Sequence, residues 1–364
     1  MSALLGTLAK PKDLRASFLS LISRVAVGAI AIGSLGVPAL QVASYIAAKY
    51  SMRRTVTDST GLIKPIMSFQ TQKGPILTAL AQSFVMKAFH EVAVRKFMEK
   101  TQDFYVQHAV STILKVVMMQ HGQTANLGLG DRCGAQGLFE ANQLSVMFVS
   151  HSITWFLWFL NSVVVWHAGN CHCRGGYFGP FYKYIFPFVN HCLRSYHCHE
   201  GLASELLLRR YKVPPAADPK SLLALHEEGN FQELEGLLKN IGHHRALDFD
   251  RLVLPGCLPF VQAIGHRMAY DAAVSTGVDS CLIDLYVASC VKLDPSWYVE
   301  RLGLSRLRQR EMEATAIDRV FPRTEEFLSL MAVEPYILAP IVSDNRWAEY
   351  VASLPPYSPP LLDG

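Results

Sequence analysis

The chain has 364 residues, enough for two domains, or two with a small insertion, and half of it is apolar, which supplies a sizeable core. Only 18% of the residues are charged and the formal net charge is +4. No basic block with interleaved aromatics exists, so nucleic acid is not expected as a partner. Of the eight cysteines, Cys171, Cys173, Cys192 and Cys198 crowd one short stretch. Cys133, Cys257, Cys281 and Cys290 sit singly in apolar contexts, as buried thiols do, and a reducing compartment is expected.

Residues 1–19 form an N-terminal segment with basic residues and serines and no acid before Asp13. A transit peptide is conceivable there, but Pro11 and Lys12-Asp13 interrupt it, and no signal-peptide cleavage pattern follows. Residues 25–48 are uncharged and long enough to cross a bilayer, for which ~20 apolar residues suffice. Their alanines and glycines, with Ser34, Pro38, Gln41 and Ser44 among them, favour a buried helix at a bundle centre over a membrane span. From Leu77, the positions Leu80, Ala81, Phe84, Val85, Ala88, Phe89 and Val92 recur at helical spacing, with Lys87, Glu91, Arg95 and Lys96 on other faces. A further helix is expected from about Asp103, with Val106, Ala109, Val110, Ile113, Leu114, Val117 and Met118 as its stripe. It should stop near Asn126, where Gly128 and Gly130 follow.

After residue 200, "SLLALHEEGNFQELEGLLKNI" reads as two short amphipathic runs separated by Gly229. "LPFVQAIGHRMAYDAAV" and "DSCLIDLYVASCVKL" read as buried helices, and "RLRQREMEATAIDRVF" as an exposed charged one. Residues 213–219 are a proline-rich linker, and residues 355–364 a proline-rich tail. No alternating strand pattern is present, so the expected fold class is all-α.

Three passages carry a resemblance. "SRVAVGAIAIGSLGVPALQVASYIAAKYSMRRTV", "PIMSFQTQKGPILTALAQSFVMKAF" and "DRCGAQGLFEANQL" are similar, in order and approximate spacing, to passages of the acyl-CoA oxidase family, relatives of the acyl-CoA dehydrogenases. The resemblance covers roughly residues 20–145 and is to the C-terminal part of that family only. It implies a dehydrogenase-type four-helix bundle over residues 20–148, followed by a second helical domain over 200–354. It also implies FAD as cofactor, an acyl-CoA substrate, and a homodimer or a dimer with a full-length oxidase. The reaction would be α,β-dehydrogenation with O2 reduced to H2O2, the first step of fatty-acid β-oxidation. A peroxisomal location follows by resemblance, although "LLDG" is not a peroxisomal address; the cytoplasm is the alternative.

By the same resemblance Arg54, following Tyr50 by four residues, would pair with the flavin pyrophosphate, as a guanidinium can do bidentately. Thr57 stands where the family usually has Phe. Gln70 or Gln72 would bond the flavin edge, with Gln70 the chosen candidate. Gly134, Ala135, Gln136 and Gly137 form a turn whose backbone N–H groups can approach a ligand closely. Without the resemblance, such a turn is more often a helix C-cap.

Two departures bear on activity. The chain begins almost at the C-terminal bundle, so a truncated, inactive oxidase is expected. The family's catalytic Glu would fall about fifteen residues beyond Asn142, in "TWFLWFLN", which has no acid, so no catalytic base can be named. Four readings stand for residues 145–199, of which 149–199 is an atypical apolar and Cys/His-rich segment. The leading one is translated intron followed by a frame-shifted exon piece, since Val149-Ser150 can be encoded as a splice donor. The others are a membrane span over 144–166, a zinc site among its Cys and His residues, and a helical variant without known role. No metal site is assigned. The alternative functions are a non-catalytic helical partner of a full-length oxidase, or a small membrane protein with two spans.

Overall fold

The computed structural model describes residues 23–99, 103–147, 197–242 and 246–355. The expectations for residues 1–19, for nearly all of 149–199 and for most of the proline-rich tail lie outside these. Apart from one small hairpin, every regular element described is helical, and the fold class is all-α.

The long uncharged stretch is helix α1 (Ser23–Arg53). It is apolar and long enough to cross a membrane, yet 67% of its apolar stretch is buried and it packs between two neighbouring helices. Its internal hydroxyls are satisfied locally. Ser34 donates to the Ile30 carbonyl and meets His90 Nε2 at 2.7 Å, and Ser44 bonds back to the Leu40 carbonyl. After α1 come strands β1 (Thr55–Thr57) and β2 (Ile63–Pro65), paired antiparallel with Val56 opposite Lys64. This hairpin corrects the expectation of no strand; three residues are too few to write an alternating pattern. Its turn is held by Asp58, whose carboxylate accepts from the Thr60 and Leu62 amides and pairs with Lys64 at 2.7 Å. Those bonds lower its pKa to about 2.

Helices α2 (Gln70–Met98) and α3 (Phe104–Arg132) complete the first bundle, α3 being capped by the Asp103 side chain. The expected stripes are buried or half-buried in both. The expected stop near Asn126 is corrected, because α3 runs through Gly128 and Gly130 to Arg132. Two glycines cost a helix about 1 kcal/mol each relative to alanine. Here Leu129 and Cys133 bury in the core and Gly137 lies against Gly130, so packing overrides propensity.

The second half supplies α4 (His197–Leu207), α5 (Leu222–Ile241), α6 (Leu247–Leu252), α7 (Leu254–Thr276), α8 (Ser280–Val291), α9 (Pro295–Leu302), α10 (Arg306–Val320), α11 (Thr324–Leu330) and α12 (Asp344–Ser353). The two runs expected around Gly229 are one helix, α5. Gly229 is the seat of the Trp297 indole, where any Cβ would overlap the ring. Helix α7 packs against α2, α3, α4 and α5, and its Gly265 lets α3 approach until a Cβ would overlap the Val117 methyl. One apolar core thereby runs from Leu40, Phe89 and Leu114 to Phe260 and Tyr286. Arg267, buried on α7, binds Glu227 of α5 through two nitrogens at 2.5 and 3.0 Å and Asp271 at 3.2 Å, which satisfies an otherwise costly buried charge.

Gly265→Ala should therefore overpack the α3–α7 crossing and lower unfolding free energy by about 1–3 kcal/mol. Gly236→Ala, on α5 with open space at its Cβ position, should raise it by about 0.5–1 kcal/mol. Urea titrations of both variants check the contrast.

Candidate functional site

One pole of the first bundle gathers the residues that the sequence singles out. The C-terminal end of α1, the N-terminal end of α2 and the C-terminal end of α3 meet there. Gln72 ties all three, its Nε2 donating to Ser51 Oγ at 2.9 Å and to the Arg132 carbonyl at 2.8 Å. Arg132 returns a bond from Nη1 to the Thr71 carbonyl at 3.0 Å. Gln72 is thus a structural clamp.

Arg54 follows α1 directly. Its backbone is fixed by N–H donation to the Tyr50 carbonyl at 2.8 Å and by acceptance from the Ile66 amide at 2.8 Å. Its guanidinium is exposed and has no hydrogen-bond or ion-pair partner among the described residues. The preceding Arg53, by contrast, is committed, to Asp344 at 2.6 Å and to the Ile341 carbonyl at 2.7 Å. Gln70 opens α2 with an exposed side chain, also without a partner among the described residues.

The glycine turn follows α3. Gly134 takes a left-handed conformation (φ 59°) in open space, and Ala135 beside it is exposed. Gly137 serves the chain itself, since a Cβ there would overlap the Gly130 carbonyl. Gln136 is half-buried and accepts from Asn142 Nδ2 at 3.0 Å through both its carbonyl and Oε1, and its amide nitrogen has no partner among the described residues. Burial pushes the Cys133 thiol up to about 12, so this cysteine is an inert core residue.

A strap from the far end of the chain closes the turn's other side. Gln143 Oε1 accepts from the Leu338 and Ala339 amides at 2.7 and 3.1 Å, and Asn142 Oδ1 from the Ile341 amide at 3.4 Å. Arg346 bonds the Ile337 carbonyl at 2.6 Å. Sequence reading missed the strap because its partners lie almost two hundred residues apart.

Among the described residues the pole thus presents a cation without a partner, an exposed amide side chain and a glycine turn on an open surface. Two cavities, of about 380 and 420 Å³, lie away from the pole, between α5, α8 and α10 and between α5 and α9. The described acids flanking the turn, Asp131 and Glu140, are exposed.

No family model and no curated protein matches the sequence. Solved structures match along almost its whole length. Acyl-CoA oxidase 3 of Yarrowia lipolytica superposes with a TM-score of 0.68 at 14% identity, covering 97% of this chain and 56% of the other. Acyl-CoA oxidase 1 of Arabidopsis thaliana gives 0.65 at 13% identity, covering 96% and 56%. Acyl-CoA oxidase-2 of Caenorhabditis elegans, solved with FAD, ascaroside-CoA and ATP, gives 0.64 at 14%, covering 96% and 55%. The chain therefore has the fold of an acyl-CoA oxidase over a little more than half the length of the solved proteins.

Gln143→Ala should free the strap while leaving the bundle intact. Hydrogen exchange at Leu338 and Ala339 should accelerate by about tenfold, the worth of one or two hydrogen bonds. Amides of α2 and α3 should be unchanged in the same experiment.

Proposed function

We propose that this chain is the helical half of an acyl-CoA oxidase-like flavoprotein and that its pole receives the diphosphate of FAD. The observation that carries this reading is Arg54, a backbone-anchored guanidinium without a counter-charge among the described residues, at the same pole as the open Gly134 turn. A pyrophosphate supplies the missing charge and accepts bidentately. Gln70, the amide nitrogen of Gln136 and the backbone around Gly134 and Ala135 supply neutral donors for the rest of the dinucleotide. Gly137 would act indirectly, by seating the turn on α3. Bound there, the flavin would accept hydride from an acyl-CoA.

Among the described residues the pole is an open surface, so a dinucleotide held there would need further enclosure. A second copy of the chain, or a full-length oxidase subunit, fits that need. Exposed Leu62, Ile63, Phe69, Leu138 and Phe139 sit on the hairpin, the start of α2 and the glycine turn, an apolar rim suited to a protein partner. That rim also favours the second reading, a non-catalytic helical partner of an intact oxidase. The packing of α1 inside the bundle argues for a core helix against a two-span membrane protein. A peroxisomal setting goes with the oxidase reading.

The chain by itself should lack oxidase turnover. No acid occurs anywhere from Ala141 to His199, the region in which the abstracting carboxylate would be expected. FAD titrated into the full chain should give weak, saturable quenching of flavin fluorescence. Arg54→Ala should weaken it about 10- to 100-fold, the worth of hydrogen bonds to a charged group. Peroxide should not form when acyl-CoA is added. Identical titrations for both proteins would remove Arg54 from the site, and stoichiometric FAD with peroxide release would contradict the inactive reading.

A further inference from the structure

His121 on α3, His266 on α7 and Cys290 on α8 converge in the core although they lie on three separate helices, far apart in the sequence. All three are buried, at 4%, 4% and 2% exposure, and one ligand atom from each falls within 4.8 Å of the others. The imidazole rings of His121 and His266 stand 5.2 Å apart, tilted at 58°. His121 Nε2 is buried without any hydrogen-bond partner, a condition that native interiors rarely leave unexplained. His266 Nε2 lies 3.2 Å from Gln120 Oε1. An amide oxygen only accepts, so it fixes the tautomer with hydrogen on Nε2 and leaves the lone pair on Nδ1. Ring-nitrogen bonds of this kind orient metal-bound histidines. A cavity of about 160 Å³ lined by Gln82, Gln120, His121 and Thr124 abuts the cluster.

From this geometry we propose that His121, His266 and Cys290 form a three-ligand site for a borderline-soft divalent cation, zinc above all. Two imidazoles and a thiolate are a donor set for zinc, against the oxygen donors that calcium and magnesium require. Ligand atoms around a tetrahedral zinc stand roughly 3.5 Å apart. The cluster must therefore draw in by about an ångström at its widest, which side-chain rotation can supply. Burial already keeps the His121 imidazole neutral, with its pKa down at about 4, and holds Cys290 as a thiol, up at about 12. Binding is then an exchange in which the Cys290 sulfur–hydrogen bond breaks, a sulfur–zinc bond forms and the proton leaves to solvent. The site keeps one net positive charge, and the adjoining cavity admits water as the fourth ligand. Such an ion would pin α3, the third helix of the first bundle, to α7 and α8 of the second half. The site is independent of the flavin reading.

The test is metal binding by the full chain, stripped by chelator and then given Zn²⁺ or Co²⁺. A variant with Cys171, Cys173, Cys192 and Cys198 all changed to Ser removes the other cysteine-rich stretch from the measurement. In that background one equivalent of zinc should survive desalting. Cobalt should produce a near-ultraviolet thiolate-to-metal charge-transfer band together with visible tetrahedral bands. Adding Cys290→Ser should abolish the charge-transfer band, and His121→Ala should weaken zinc binding more than tenfold. Gln120→Ala, which removes only the orienting bond, should weaken it about tenfold. Cys257→Ser, at a buried thiol outside the cluster, serves as the folding control and should change nothing. The proposal is overturned if the four-serine background retains no zinc, or if its cobalt band survives Cys290→Ser.

Discussion

The geometry of the pole depends on the Gln72 carboxamide. One nitrogen satisfies both Ser51, at the buried end of α1, and the last carbonyl of α3, while its own helix begins beside them. Three helix ends are thereby held in register without a salt bridge. Leaving that carbonyl and hydroxyl unsatisfied would cost about 1–3 kcal/mol for each buried group. Arg54 and Gly134 are three and two residues beyond the clamped positions, so their placement at one pole follows from it. The same economy explains why Arg53 and Arg54 differ. Arg53 faces the strap and is spent on Asp344 and Ile341, whereas Arg54 turns away with no partner among the described residues.

The strap makes the pole a product of both halves of the chain. Gln143, in a left-handed conformation (φ 62°), spends its side chain on the backbone of residues 336–339. Asn142 holds Gln136 on one side and Ile341 on the other. The glycine turn is therefore rigid on its inner side and open on its outer side. A surface built that way suits a ligand enclosed from outside by another protein wall, and the apolar rim beside it is where such a wall would sit. The core beneath the pole draws on both halves, joining Ile46 and Leu129 to Leu282, Ile317 and Phe327.

Much of this was legible in the residues. The three- and four-residue recurrences of α2 and α3 are buried where expected, and the lone cysteines at 133, 257, 281 and 290 are buried thiols. Local signals failed where close packing decides. Gly229 punctuates the sequence but not the helix, because the Trp297 indole needs its missing side chain. Gly128 and Gly130 look like a stop, yet α3 continues to where Gly137 can stack on it. The hairpin after Arg54 is shorter than any period that could reveal it. Arg54, Gln70 and the turn were found through resemblance, and their surroundings could not be, since Gln143 meets Leu338 across 195 positions. His121, His266 and Cys290 were invisible for the same reason, lying 145 and 24 positions apart on three different helices.

The central claim is that the pole, and no other part of the chain, receives a flavin dinucleotide. Hydrogen exchange of the full chain with and without saturating FAD tests it most directly. Protection confined to the residues after α1, the first turn of α2 and the segment from Gly134 to Gly137 is the predicted result. Unchanged exchange there, or protection centred instead on the cavity lined by Tyr270, Arg308 and Arg319, would contradict the account.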